Sequence, residues 1–168
     1  TAFDWKFRRN QAKGGPDTEN LQILHFENAF HGRSGYTLSL TNTADPNKYQ
    51  YFPRFDWPRV TTPACKFPLE GENLAATEAA EAESLAQIRA AFEERKDLIA
   101  AIILETIQGE GGDNHFRPEF LQALRDICDE HEALLIFDEV QAGMGLTGDW
   151  WAWQTMGVTP DIFCYGKK

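Results

Sequence analysis

Residues 134–143 read Leu134-Leu135-Ile136-Phe137-Asp138-Glu139-Val140-Gln141-Ala142-Gly143. Ala133 to Phe137 is an unbroken apolar run that stops abruptly on two acids. It is short for a helix and too uniform for a half-exposed strand, so it predicts a strand buried on both faces. Working upstream, Ile99 to Leu104 (IAAIIL) reads the same way. Between them, Pro118 to His131 has helical spacing with proline at its first turn. Two buried strands joined by one helix form a βαβ unit, which places them side by side and parallel in a sheet covered above and below. Downstream, Asp161 to Tyr165 predicts a third strand whose direction the pattern leaves open. It is followed at once by Gly166-Lys167-Lys168. The fold class is therefore α/β.

The remaining segments fit around that unit. Thr1 to Lys13 reads as the back of an amphipathic helix, stopped at Gly14-Gly15-Pro16. Leu21 to Phe26 predicts a short strand, Glu27 to Arg33 a loop, and Tyr36 to Asn42 a helical turn. Most of the prolines fall between Thr43 and Gly71, interleaved with Tyr49, Tyr51, Phe52, Phe55 and Trp57. That segment predicts a long irregular excursion packed by its own aromatics, of the sort that carries function in compact domains. Asn73 to Lys96, rich in Ala and Glu and free of Gly and Pro, predicts the longest helix, with Asn73 as its N-cap and acids crowding the early turns.

Composition narrows the classes of function. With 42% hydrophobic and 25% charged residues, the chain has the makings of an ordinary globular core. Its net charge of -10 argues against nucleic acid, whose phosphates need clustered Lys and Arg. The longest strongly apolar run, Leu98 to Leu104, is far short of the roughly 20 residues that span a bilayer. Cys65, Cys128 and Cys164 are odd in number and widely spaced, which predicts reduced thiols in a cytoplasm rather than a disulfide framework. A helix that begins abruptly and a strand that ends the chain suggest an internal piece of a longer protein.

In open α/β sheets, ligands bind outside the carboxyl ends of the strands. That rule selects Glu105, Asp138 and the Gly166-Lys167 pair, each just past an apolar run. Two carboxylates and an amine at one sheet edge suit pyridoxal phosphate. A carboxylate keeps its ring nitrogen protonated and a lysine holds its aldehyde as a Schiff base. Taken singly, Asp138 could cap a turn and Lys167 could be a solvated surface charge; their convergence favours chemistry. A second reading stays open, because four apolar residues followed by Asp-Glu also present magnesium in nucleotide-hydrolysing ATPases. That class needs a G-x-x-x-x-G-K-[ST] loop, which this sequence lacks, and Gly109-Glu110-Gly111-Gly112-Asp113 carries acids where a phosphate cradle wants positive charge. A metal site at His25, Glu27 and His31 lacks any recognised ligand spacing, and a packed or hydrogen-bonded histidine is the simpler reading.

Four motifs in order carry a resemblance: Asn28-Ala29-Phe30-His31-Gly32-Arg33, Glu105 through Gly112, Phe137-Asp138-Glu139-Val140-Gln141, and Asp161 through Lys167. Together they resemble the class III (omega) aminotransferases over nearly the whole chain. Within that family, Phe30 through Thr43, the Tyr51-to-Pro58 segment and the Gly-Lys-Lys ending are similar to the branch acting on the 6-amino group of L-lysine.

The resemblance implies the three-layer αβα large domain of fold-type I pyridoxal phosphate enzymes, with residues 1–168 as its central part. It implies amino transfer from L-lysine to 2-oxoglutarate, giving L-glutamate and 2-aminoadipate 6-semialdehyde, which cyclises to piperideine-6-carboxylate. Ornithine, acetylornithine or 4-aminobutyrate transfer is the alternative. Lys167 would be the Schiff-base lysine and proton shuttle, with Lys168 as its competitor. Asp138 would pair with the pyridinium nitrogen and Gln141 with the phenolic oxygen, while Phe30 and Val140 would lie on opposite ring faces. Arg33 would hold the carboxylate of lysine, as a bidentate fork does. Glu110 would be a switch, covering an arginine outside this chain when lysine binds and moving aside for 2-oxoglutarate. The cofactor phosphate loop is expected before Thr1, and a small C-terminal domain and homodimer partner residues after Lys168. The chain as given is therefore expected not to turn over substrate.

Overall fold

The computed structural model describes residues 1–15 and 19–167. Pro16 of the expected helix stop and Lys168 lie outside the described residues.

Five strands form one parallel sheet in the order β2-β1-β3-β6-β7. In chain order the strands are β1 (Gln22–Phe26), β2 (Arg59–Val60), β3 (Ile99–Glu105), β4 (Ile107–Gln108), β5 (Asn114–His115), β6 (Leu134–Asp138) and β7 (Ile162–Cys164). The helices are α1 (Ala2–Ala12), α2 (Gly35–Leu40), α3 (Gly71–Glu94), α4 (Pro118–Glu130) and α5 (Ala152–Met156). The expected β3–α4–β6 unit is present, with Ala101 opposite Leu134 through Glu105 opposite Asp138. The direction left open for the last strand is parallel, because Ile136, Phe137 and Asp138 pair in register with Ile162, Phe163 and Cys164.

Helices cover both faces, and the alternation of side chains along each strand divides the core between them. Leu24, Phe26, Ile102, Leu104, Leu135 and Phe137 pack with Ile88 and Phe92 of α3 and Phe120 and Leu124 of α4. Ile23, Ala101, Ile103, Leu134 and Ile136 face the other way, toward Ala2, Phe3 and Trp5 of α1. Ile99 falls on the α3/α4 side despite its odd number. A bulge between Gln22 and Ile23, which pair with Ile99 and Ala101, leaves Ala100 unpaired and shifts the alternation by one residue.

Two expectations need correction. Asn73 is not the N-cap of the long helix: α3 begins at Gly71 with Glu70 in the cap position. Asn73 sits inside the first turn, where its Nδ2 donates to Phe67 O at 3.2 Å. The Thr43–Gly71 excursion is also not wholly irregular. It holds the 3-10 turn Pro46–Lys48 and the edge strand β2, which pairs with β1 through His25–Arg59 and Phe26–Val60. Its aromatics pack only in part. Phe55 and Trp57 stack at 5.0 Å with Tyr36 against them, while Tyr51 and Phe52 stay exposed. Among the described residues no helix is long and apolar enough to cross a membrane.

Candidate active site

The parallel register brings the carboxyl ends of β3, β6 and β7 level, so Glu105, Asp138 and Cys164 stand side by side. The strand order reverses between β1 and β3, the place where open α/β sheets leave a crevice. Loops from four elements meet there.

Asp138 is buried and held from two sides. Its Oδ1 accepts from Val140 N at 3.1 Å, and its Oδ2 lies 2.8 Å from Nδ1 of the buried His31. His31 is the partner of Asp138 that the sequence did not reveal. Residues 31 and 138 are 107 positions apart, and no local spacing announces the pair. Its other ring nitrogen, Nε2, is buried with no hydrogen-bond partner among the described residues.

Glu105, one strand over, does not face outward as a second reactive carboxylate. Its oxygens accept from Phe30 N at 2.9 Å and Gly109 N at 3.3 Å, tying the loop after β1 to the turn after β4. Burial pushes its carboxyl above the ordinary value, and those two N–H groups work against the shift. Glu139 is likewise structural. It is buried and accepts from Ala152 N and Trp153 N at 2.9 and 2.7 Å, which seats the first turn of α5.

Val140, Gln141 and Lys167 line one cavity of about 370 Å³, together with Ile107, Gly109, Asp113, Ala142 and Leu146. Lys167 stands two residues beyond Tyr165 with a left-handed backbone, φ +65°. A non-glycine residue keeps that conformation only where its surroundings impose it, and such positions cluster at functional sites. The Gln141 amide lies across Gly109 so closely that a Cβ there would fall 2.7 Å from its Oε1. Gly111 is required more strictly, since a Cβ there would meet the backbone Asn28 O at 2.0 Å, whereas the Gln141 amide beside Gly109 is the end of a flexible side chain. The turn 109–113 is thus seated on the loop that carries Phe30 and Arg33.

The predicted residues are not all brought together. Lys167, Gln141 and Val140 share the cavity, and Asp138 is bonded to the backbone of Val140. Phe30 is half-buried and reaches the site through its backbone bond to Glu105. Arg33 is exposed on its loop. Glu110 stands at the rim, where its Oε1 accepts from Lys48 Nζ, a partner with no sequence signal. Among the described residues, no group of three or more His, Cys, Asp or Glu side chains gathers as a metal site.

The donor set fits a pyridine-based cofactor. A buried, doubly anchored carboxylate suits a protonated ring nitrogen, an amine suits an aldehyde, and the cavity that Lys167 lines with Val140 and Gln141 is of ligand size. Comparison with known proteins agrees. The family model for class-III aminotransferases matches residues 1–168. The L-lysine-epsilon aminotransferase of Mycobacterium tuberculosis is 58% identical over 167 residues, which is 99% of this chain and 36% of that protein. A probable mitochondrial 4-aminobutyrate aminotransferase of Caenorhabditis elegans is 43% identical over 187 residues, covering all of this chain and 38% of that protein. A solved structure of the lysine aminotransferase from M. tuberculosis superposes with a TM-score of 0.92 at 57% identity, covering 98% of this chain and 37% of that one. The chain thus spans little more than a third of the length of these relatives.

Proposed function

The chain belongs to the class-III aminotransferases, and from that premise we propose that the whole protein moves the 6-amino group of L-lysine to 2-oxoglutarate with pyridoxal 5'-phosphate. The products are L-glutamate and 2-aminoadipate 6-semialdehyde, which closes to piperideine-6-carboxylate. The observation that carries this reading is the placement of Lys167 and Gln141 on one cavity beside the strand end that bears the buried Asp138–His31 pair. The preference for lysine rests on the greater identity to the lysine-epsilon enzyme than to the 4-aminobutyrate relative.

Each role follows from what the side chain can do. Asp138, kept in place by His31 and Val140 N, holds a proton on a ring nitrogen by offering an anion in a buried setting. Bound there, pyridoxal phosphate supplies an electron-withdrawing ring that stabilises negative charge on the neighbouring substrate carbon. Lys167 Nζ would hold the cofactor through its aldehyde at rest. When displaced, it would carry the proton from C6 of lysine to the cofactor's carbonyl carbon and, in the second half-reaction, from that carbon to C2 of the keto acid skeleton. Gln141 would donate its amide to the phenolic oxygen, and Val140 and Phe30 would hold the ring. Arg33, on an exposed loop, clamps the lysine carboxylate, and Glu110 at the rim answers the change between a cationic and a dianionic substrate. Residues 1–168 form the central part of the cofactor-binding domain of a cytoplasmic homodimer.

The test is a half-reaction on the full-length protein loaded with pyridoxal phosphate, with L-lysine and no keto acid. Bleaching of the yellow absorbance, with the 6-semialdehyde as product, is expected. Bleaching by ornithine or 4-aminobutyrate but not by lysine would leave the family and remove the substrate. Failure to form any yellow adduct would remove the roles given to Asp138 and Lys167.

A further inference from the structure

The side chain of His31 is 1% exposed, and its Nδ1 lies 2.8 Å from Asp138 Oδ2. The two partners are placed by different means. Asp138 ends a buried strand, whereas His31 stands on the loop between β1 and α2. Its position therefore depends on whatever ties down the backbone of that loop.

Thr41 supplies the tie. It follows α2 with an extended backbone, φ -85° and ψ 129°, and is fully buried. Its Oγ1 accepts from His31 N at 3.1 Å and donates to Gly32 O at 2.6 Å, so one hydroxyl bridges the polar groups that flank the His31–Gly32 peptide. Thr37 O, at 3.3 Å, is a more distant acceptor for the same proton. Beside this bridge, Asn42 N donates to Ala29 O at 2.7 Å. The segment under Thr41 is itself anchored: Ser39 Oγ accepts from Phe55 N at 2.8 Å, and Ser39 O from Arg59 Nη2 at 3.3 Å. Gly32 closes the fit, because at φ +127° a Cβ would fall 2.6 Å from Thr37 Oγ1.

We propose that Thr41 is a positioning residue: its hydroxyl, by bridging His31 N and Gly32 O, sets His31 against Asp138 and so governs how firmly Asp138 can hold a protonated pyridine ring. This rests on the cofactor reading given above. Without the hydroxyl, a buried N–H and a buried carbonyl lose their partner, a cost the chain relieves by shifting the loop. Any shift carries the imidazole with it and lengthens its contact to Asp138. Phe30 shares the loop, but its N–H stays tied to Glu105, and Arg33 is exposed, so the loss falls first on His31.

The experiment uses the full-length protein as wild type, Thr41→Val, Thr41→Ser, His31→Phe and the double variant His31→Phe/Thr41→Val. Calorimetry gives the Kd for pyridoxamine phosphate, which has the cofactor's ring nitrogen but no aldehyde, so Lys167 forms no bond to it. With that ligand at saturation, proton NMR reads the Nδ1–H of His31. A donor to a carboxylate, it resonates downfield of ordinary ring protons and is assigned by its loss in His31→Phe. Thr41→Val exchanges only the hydroxyl for a methyl. It is expected to displace or broaden that resonance and to weaken pyridoxamine phosphate about three- to tenfold, a partial loss of one charge-assisted hydrogen bond. Thr41→Ser should restore both. In the His31→Phe background the Thr41→Val effect on Kd should vanish while its cost in denaturant unfolding remains, since a purely structural loss has no reason to act through His31. If Thr41→Val does not fold, Thr41→Ala carries the same measurements. An unmoved resonance, an unchanged Kd, no recovery in Thr41→Ser, or a weakening that persists in the His31→Phe background would overturn the proposal. If the wild type binds no pyridoxamine phosphate, the cofactor reading falls, and the His31 resonance decides on Thr41 by itself.

Discussion

An ionised carboxylate only accepts hydrogen bonds, so the 2.8 Å contact between His31 and Asp138 requires the proton on Nδ1. In the neutral ring, Nε2 is then a bare lone pair, which a buried position tolerates better than an unpaired N–H. His31→Phe keeps a ring in place but strips Asp138 of one of its two partners. It should cost about 1–3 kcal/mol of stability, read by denaturant unfolding, and slow amino transfer in the full-length protein. Wild-type rates would show that Val140 N alone positions Asp138. Glu105 gives a pH prediction. Burial raises its carboxyl above the ordinary 4.5, so the folded chain holds that proton more tightly than the unfolded chain does. Its contribution to stability is complete below the unfolded value and is lost as pH rises through the raised one. Glu132, depressed by Lys13 and Arg9, acts in the opposite sense and in a separate window, losing its contribution as pH falls below 4.5. The melting temperature of Glu105→Gln should therefore fall less steeply than that of wild type from pH 4.5 into the neutral range. Parallel slopes would assign the pH dependence to other groups. Asp138 and Lys167 were legible as candidates because each follows an apolar run at the end of a strand. The partners that hold Asp138 and Glu110 come from loops 107 and 62 positions away, and nothing near either residue in sequence encodes that approach.

Elements whose burial is continuous could be read directly: β3, α4 and β6 lie within a residue or two of their expected bounds. Strand β2 could not, because Arg59–Val60 is two residues long and follows prolines, and its pairing with β1 supplies the order that its own sequence lacks. The Asn73 cap failed for a related reason. Asn favours the cap by local hydrogen bonding, but the chain turns two residues earlier, at Gly71 with φ +50°. Lys6 is the element-scale surprise. It is 2% exposed, and its Nζ donates to His131 O at 3.1 Å and Glu132 O at 2.9 Å, just past the end of α4. These carbonyls belong to the unsatisfied end of a helix, where a cation is favoured. Since α1 and α4 cover opposite faces of the sheet, the bond also ties the two helical layers together. Lys6→Met keeps the aliphatic stem and removes the ammonium group. A loss of about 1–3 kcal/mol in denaturant unfolding is expected from two carbonyls left without their donor. Unchanged stability would mean that water replaces Nζ at no cost.

At the scale of the whole molecule, the three-layer arrangement follows from strands apolar on both faces, and that much was in the sequence. Which surfaces stay uncovered was not, because exposure depends on what packs from a distance. The sheet ends at β7, three residues long, whose outer side pairs with no other strand among the described residues. Around it Trp150, Tyr165 and Leu146 are 70%, 65% and 60% exposed, and Tyr165 packs on Trp151 and Phe163. An open strand edge beside exposed aromatics is a template for association, and contiguous apolar exposure marks a surface meant to be covered. Leu146 and Lys167 line the same cavity, so whatever covers this region also bears on the site. A polypeptide of these 168 residues alone should therefore self-associate in light scattering, and with added pyridoxal phosphate it should release no glutamate from L-lysine and 2-oxoglutarate. The full-length protein under the same conditions should remain dispersed and active. If the short polypeptide is instead monodisperse and active, the exposed β7 face is an ordinary surface, and Asp138, Gln141 and Lys167 need nothing beyond this chain to work.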